Sequence, residues 1–178
     1  MCGRYYIEIS DKELRDICDE VRSRDSEENT KQLEIKLSGE IFPTDIVPVI
    51  TGPLKYLPMR WGFVGFDKKP LINARSETAF DKPTFRDSML ERRCLIPASG
   101  YFEWKREGSK KIKHKIYIPG QSMYFAGCYR KEKGEPLPRF VILTREAAHG
   151  FEEIHDRMPV IIAKNYANNW LSAGVISK

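Results

Sequence analysis

The sequence predicts an α+β fold: a single domain built on a mainly antiparallel, curled β-sheet with a few flanking helices. Three observations point there. Helical periodicity occupies only short stretches, whereas a period of two recurs from residue 46 onward. Twelve glycines and 11 prolines cut the chain into short segments. The 9 Phe, 8 Tyr and 3 Trp, with many β-branched residues, supply enough apolar surface for one core within 178 residues.

The elements follow in order. Ser10-Asp11-Lys12-Glu13 reads as a capping box, and Leu14, Ile17, Cys18 and Val21 continue at helical spacing, predicting a helix over 11–23. Cys18 lies on the apolar stripe and is expected to pack. Residues 24–40 are polar and read as a loop with a short helix. Strands are expected at 46–50, 54–60, 93–96, 101–105, 113–118, 123–130, 139–144 and 160–163, each bounded by Gly, Pro or Asp. Further helices fit 84–92 and 165–171. Glu107-Gly108-Ser109 is a hairpin turn flanked by Lys105, Arg106, Lys110, Lys111, Lys113 and Lys115. Those cations fit either a solvated tip or a ribbon that tracks phosphates. There is no internal repeat and no linker, so residues 1–178 read as one domain.

Composition excludes several classes. No run of about 18 apolar residues is available to cross a membrane, and Met1-Cys2-Gly3-Arg4 opens no signal peptide. A cytoplasmic protein with reduced thiols is expected, nucleoid-associated in a bacterium. Cys2, Cys18, Cys94 and Cys128 form no CxxC pair, and three histidines add no ligand-spaced partner, so neither a metal nor a cofactor is expected. Residues 1–40 carry 7 Lys/Arg and 11 Asp/Glu, a net of −4, while residues 41–178 carry 23 and 14, a net of +9. A basic body suits an anionic partner, with nucleic acid the commonest.

Four segments are dense in chemical groups. Removal of Met1 would leave Cys2 as a 1,2-aminothiol, whose amine (reference pKa ~7.7–8) and thiol (~8.5) are both partly nucleophilic near neutrality. The thiol of such a group can attack an acyl carbon, with the amine as base. Alternatively, the amine condenses with an aldehyde and the thiol closes a thiazolidine. Asn73-Ala74-Arg75-Ser76-Glu77-Thr78 offers an amide at Asn73 and a phosphate-pairing guanidinium at Arg75. In Gly100-Tyr101-Phe102-Glu103-Trp104, strand alternation sets Phe102 and Trp104 on one face and Tyr101, Glu103 and Lys105 on the other. Glu103 there is either an exposed carboxylate or a proton shuttle of raised pKa. His155 heads His155-Asp156-Arg157-Met158-Pro159, a polar cluster stiffened by proline.

Together these segments, with Arg60-Trp61-Gly62 and the run from Cys94 to Trp104, resemble the SOS-response-associated peptidase (SRAP) family in order along nearly the whole chain. The resemblance implies a β-rich α+β domain with a barrel-like curved sheet, and a covalent sensor of abasic sites in single-stranded DNA, acting in DNA repair. The family's catalytic cysteine, asparagine, glutamate and histidine fall on Cys2, Asn73, Glu103 and His155. Its DNA contacts fall on Arg4, Trp61 and Arg75, with Arg86 and Thr144 as weaker matches. The implied product is a thiazolidine between Cys2 and the aldehyde at C1′, and the peptidase label is read as removal of Met1; a monomer is expected. One departure stands out. Where the family often has a proline four residues after the tryptophan, this chain has Gly65, which predicts a looser loop. Two other readings compete: an N-terminal-nucleophile amidohydrolase, which also opens Met-Cys-Gly, and a non-catalytic nucleic-acid-binding module built on the basic hairpin.

Overall fold

Short runs of β-branched and aromatic residues, interrupted every few positions by Gly or Pro, cannot propagate a helix but suit a pleated, half-buried surface. The computed structural model, which describes residues 2–10, 12–27, 34–53 and 55–172, follows that logic. The chain runs through β1 (Tyr5–Ile7), α1 (Lys12–Glu27), β2 (Gly39–Ile41), β3 (Ile46–Gly52), β4 (Lys55–Trp61), β5 (Phe63–Val64), β6 (Pro70–Leu71) and β7 (Asn73–Arg75). It continues through α2 (Pro83–Glu91), β8 (Arg93–Ala98), β9 (Gly100–Glu107), β10 (Lys110–Ile116), β11 (Met123–Arg130) and β12 (Arg139–Glu146). Strands β13 (Arg157–Pro159) and β14 (Ile161–Ile162), a 3-10 turn at Lys164–Tyr166 and α3 (Ala167–Ser172) complete it.

Strands β12, β4, β3, β8 and β11 pair in turn, and β11 pairs back onto β12, so five strands close a ring. Closure removes the open edges that a flat sheet of this size would present. The pairings are mostly antiparallel; those of β12 with β4 and with β7 are parallel. A second antiparallel sheet, in the order β10-β9-β1-β2, lies beside the ring and delivers Tyr5 to the same core. There Tyr5 meets Trp61 edge-on at 5.3 Å and Phe125 at 5.9 Å. A smaller apolar cluster, including Phe63, Phe85, Met89 and Leu143, fixes α2.

Strand β12 organises the region that matters most. Its first half pairs with β4 and β11, and its second half with β7 and β13. Thr144 is the meeting point, aligned with Arg75 on β7 and with Pro159 on β13. The Asn73 segment and the His155 segment, far apart in sequence, therefore arrive at one end of one strand.

The structure departs from expectation at identifiable places. Helix α1 starts at Lys12 and continues to Glu27, taking up residues expected to be loop, and Leu14, Ile17, Cys18 and Val21 are buried as its stripe requires. Asp11, the expected first residue of that helix, and the expected strand start at Leu54 lie outside the described residues. The expected strand at 113–118 begins earlier, at Lys110, and ends at Ile116. Strands β1, β2, β5, β6, β7 and β13 carry no expectation from the sequence, because two or three residues cannot display a period of two. Nor is the loop after Trp61 loose. Gly65 donates its N–H to Lys69 O at 3.0 Å within a tight β5–β6 hairpin, and a Cβ at Gly65 would lie 2.5 Å from that oxygen. Among the described residues, no helix is long and apolar enough to cross a membrane.

Candidate active site

The second residue of the chain lies in its principal core. Cys2 is fully buried, and its carbonyl accepts a hydrogen bond from Asn73 Nδ2 at 2.9 Å. Asn73 can reach it because β7 is held in parallel register on β12, which points Asn73 and Arg75 to one side and Ala74 into the smaller cluster. Asn73 Oδ1 is buried and has no hydrogen-bond partner among the described residues. Burial first, and then the negative charge of Glu103, push the Cys2 thiol far above its ordinary range. The thiol is therefore neutral at physiological pH, and attack by a preformed thiolate is disfavoured.

Strand alternation on β9 acts as expected. Tyr101 and Glu103 turn inward, Tyr101 meeting Phe125 edge-on at 6.0 Å, while Phe102 and Trp104 turn to the other face. Glu103 is only 3% exposed, which removes the reading of a solvated surface carboxylate. Burial holds its carboxyl above the usual range, with the amino-terminal charge and His155 opposing the shift. The β9–β1 register runs to Tyr101, with one further bond from the Phe102 N–H to the Arg4 carbonyl at 2.9 Å, and residues from both faces of β9 line one cleft beside it. That cleft, about 460 Å³, is bounded by Arg4, Glu103, Trp104, Arg106, Lys111 and His155. The His155 Nδ1 atom lies 2.6 Å from Asp156 Oδ1 and accepts the Arg157 N–H at 3.1 Å.

Two residues with no role assigned from sequence hold these segments together. Arg157, nearly buried, donates to both oxygens of Glu77 at 2.7 and 2.8 Å and to the Thr144 carbonyl at 2.7 Å. This bidentate fork ties the turn after Asn73 to the residue two beyond His155. Its charge-assisted bonds hold the Glu77 carboxyl down to about 2. The sequence signal was available in part, since Glu77 and Arg157 both sit inside the quoted motifs, but nothing in the chain says that they meet.

The expected DNA contacts divide. Arg4 is at the cleft, donating to Glu40 at 3.3 Å and lying over the rings of Phe42 and Trp104 at 4.3 and 5.0 Å. Arg75 and Arg86 are exposed, Arg75 on the neighbouring wall with Asp156 and Arg86 on α2, away from the cleft. Trp61 corrects its expectation. It is fully buried, stacked on Phe140 at 6.3 Å, and its indole N–H is spent on the Ile72 carbonyl at 3.0 Å, leaving no face for a base. Thr144 is likewise fully buried, with its hydroxyl 3.4 Å from Arg157, so it supports the clamp and does not face a strand. The aromatic residue that does line the cleft is Trp104. Among the described residues, no cluster of His, Cys, Asp and Glu is arranged to hold a metal ion.

Fold and site thus define a class: a ring-closed β domain that draws its own amino-terminal segment inside and surrounds it with an amide, a carboxylate and an imidazole. The family described as SOS response associated peptidase (SRAP) matches residues 1–177, and the chain belongs to it. It is 41% identical over 125 residues to abasic site processing protein YoaM of Bacillus subtilis, covering 64% of this chain and 55% of that protein. It is 37% identical over 126 residues to abasic site processing protein YedK of Escherichia coli, covering 68% and 57%. This chain therefore spans little more than half the length of these bacterial relatives. A solved protein from Bacteroides thetaiotaomicron has the same fold, with a TM-score of 0.77 at 25% identity over 99% of this chain and 83% of its own.

Proposed function

We propose that this protein recognises abasic sites in single-stranded DNA and holds them as a thiazolidine on Cys2 after Met1 is removed. The observation that carries the reading is the placement of Cys2, with its carbonyl fixed by Asn73 and its thiol under the influence of Glu103. Membership in the SRAP family, and relatives named as abasic site processing proteins, support the choice of substrate.

The buried, neutral thiol argues for an order of steps. The Cys2 amine attacks first, adding to the aldehyde carbon at C1′ of the opened sugar. Glu103, whose carboxyl holds its proton above the usual range, donates that proton to the departing hydroxyl, and one water leaves as the imine forms. The thiol then adds to the imine carbon. Its proton returns to the carboxylate or to the ring nitrogen, and the sum is aldehyde plus aminothiol giving thiazolidine plus water. Closing this ring drains the imine that would otherwise promote β-elimination, so the strand stays intact. His155, at the cleft beside Asp156, is suited to proton transfer during sugar ring opening and release. Asn73 orients the residue through its carbonyl, and Trp104, in place of Trp61, is the ring on which a flanking base would stack.

The test is intact mass of the product formed with abasic and with unmodified single strands. Cys2→Ala is expected to lose the stable adduct completely while keeping an imine that borohydride traps. A protein that retains Met1 is expected to form none, although its thiol remains. A stable adduct from the Met1-retaining protein would overturn the thiazolidine.

A further inference from the structure

The β9–β10 hairpin carries a regular charge pattern with one gap. Residues directly opposite in an antiparallel pair share a face, and Lys115, Lys113 and Lys111 lie opposite Phe102, Trp104 and Arg106. Each of the first two lysines has a carboxylate and an aromatic ring. Lys115 meets Glu8 at 2.9 Å and lies over Tyr6 at 4.1 Å; Lys113 meets Glu40 and lies over Phe102 at 3.9 Å. The third position breaks the pattern. Lys111 stands directly opposite another cation, Arg106, and among the described residues neither has a carboxylate partner. Like charges placed opposite each other destabilise a sheet. Yet these are the two hairpin cations that line the cleft of Glu103 and His155.

We infer that Arg106 and Lys111 form a phosphate site for the strand entering the cleft, with the phosphate beside the abasic nucleotide supplying the anion that the third position lacks. Arg106 offers a planar fork and Lys111 a point charge, a pairing suited to a non-bridging phosphate oxygen pair. The site rests on the reading above for its substrate, but not for its chemistry, because it binds anions whether or not Cys2 reacts. It also gives the hairpin a division of labour. Lys113 and Lys115 hold the ribbon down through their own carboxylates, and Arg106 and Lys111 remain open for a ligand.

The experiment measures binding of an intact single strand across a salt series, using the full chain. Arg106→Gln/Lys111→Gln is expected to flatten the dependence of log affinity on log salt by about 1.4, at ~0.7 per lost contact. Lys110→Gln, at the same tip but outside the cleft, is expected to leave the slope unchanged. Lys111→Glu converts the repulsive pair into an attractive one, so its thermal midpoint should equal or exceed that of the wild type while DNA affinity falls. A wild-type slope in the double variant overturns the site. An equal loss in Lys110→Gln also overturns it, because bulk charge would then account for binding. A lowered midpoint in Lys111→Glu overturns the like-charge argument on which the site stands. If the wild type forms no adduct with abasic DNA, the thiazolidine reading fails, yet the salt series still decides on the phosphate site.

Discussion

The two walls of the cleft are made on opposite principles. The inner wall presents Glu103, close to Cys2 in the apolar core, and both ionisable groups are held away from their charged forms. The outer wall is a two-stranded ribbon whose cations are exposed, and those without carboxylates meet solvent. Burial of the first kind retains protons on its groups, at some cost in stability. Exposure of the second kind leaves charge available to a polyanion, but contributes little to the fold. Substitutions on the two walls should therefore fail in different ways, one set in rate or folding and the other in salt dependence.

The largest separation is expected at Glu103. Glu103→Gln should slow adduct formation or release by ~10²–10⁴ while affinity for an intact strand stays at the wild-type value. Because the folded state raises this carboxyl above its value of 4.5, its contribution to stability is fully present below pH 4.5 and is lost as pH rises through the folded value. At neutral pH the variant should accordingly melt no lower than the wild type. Equal rates in the two proteins would remove Glu103 from the chemistry.

Trp61→Ala tests the inner wall from behind. Deleting a fully buried indole is expected to cost ~3–5 kcal/mol of unfolding free energy. The fraction that remains folded should bind intact strands with unchanged affinity. Weaker binding with unchanged stability would instead put Trp61 against DNA, contrary to its burial.

A smaller effect is expected at the clamp. Glu77→Gln replaces the bidentate carboxylate, and because Glu77 is 45% exposed the loss should be nearer ~1–2 kcal/mol than the value for a fully buried pair. Its sign with pH is fixed. The carboxyl is held down to about 2 from 4.5, so the wild type should exceed the variant above pH 4.5, with the advantage vanishing as pH falls toward 2. Chemical denaturation at pH 7 and at pH 3 compares the full advantage with a reduced one. A difference that does not shrink in acid would mean that the clamp acts by packing alone.

The smallest effect belongs to Arg75, exposed on the neighbouring wall. Arg75→Ala should lower the salt slope by about 0.7 and leave the melting temperature unchanged. If it shifts stability but not the slope, Arg75 belongs with the clamp and not with the binding surface.

How far these regions were legible in the sequence follows from their length and reach. The long strands β3, β8, β9, β11 and β12 each present enough residues for alternation to show, and the ring they form agrees with the curled sheet expected. Cys2, Asn73, Glu103 and His155 were legible as motif positions: Cys2 by its place after Met1, Glu103 as a lone carboxylate among aromatic residues, and Asn73 and His155 by the polar clusters around them. Strands β7 and β13 were not, being three residues long and formed through register on β12. The Glu77–Arg157 fork spans 80 residues and has no local signature. Trp61 misled for the opposite reason. Its motif is conspicuous, but the sequence cannot show that its indole N–H finds a backbone carbonyl inside the core.

The burial of Cys2 also sets a schedule. At a ribosomal rate of ~5–20 residues per second, Asn73, 71 residues downstream, is made roughly 4–14 s after Cys2, and His155 later still. Until the ring closes, the nascent amino-terminal segment stands in solution with neither its amide clasp nor its shielding core. A 1,2-aminothiol there would meet any small aldehyde in the cell without discrimination. Folding speed, as much as the finished geometry, would then decide what fraction of newly made molecules reaches DNA with an unreacted cysteine.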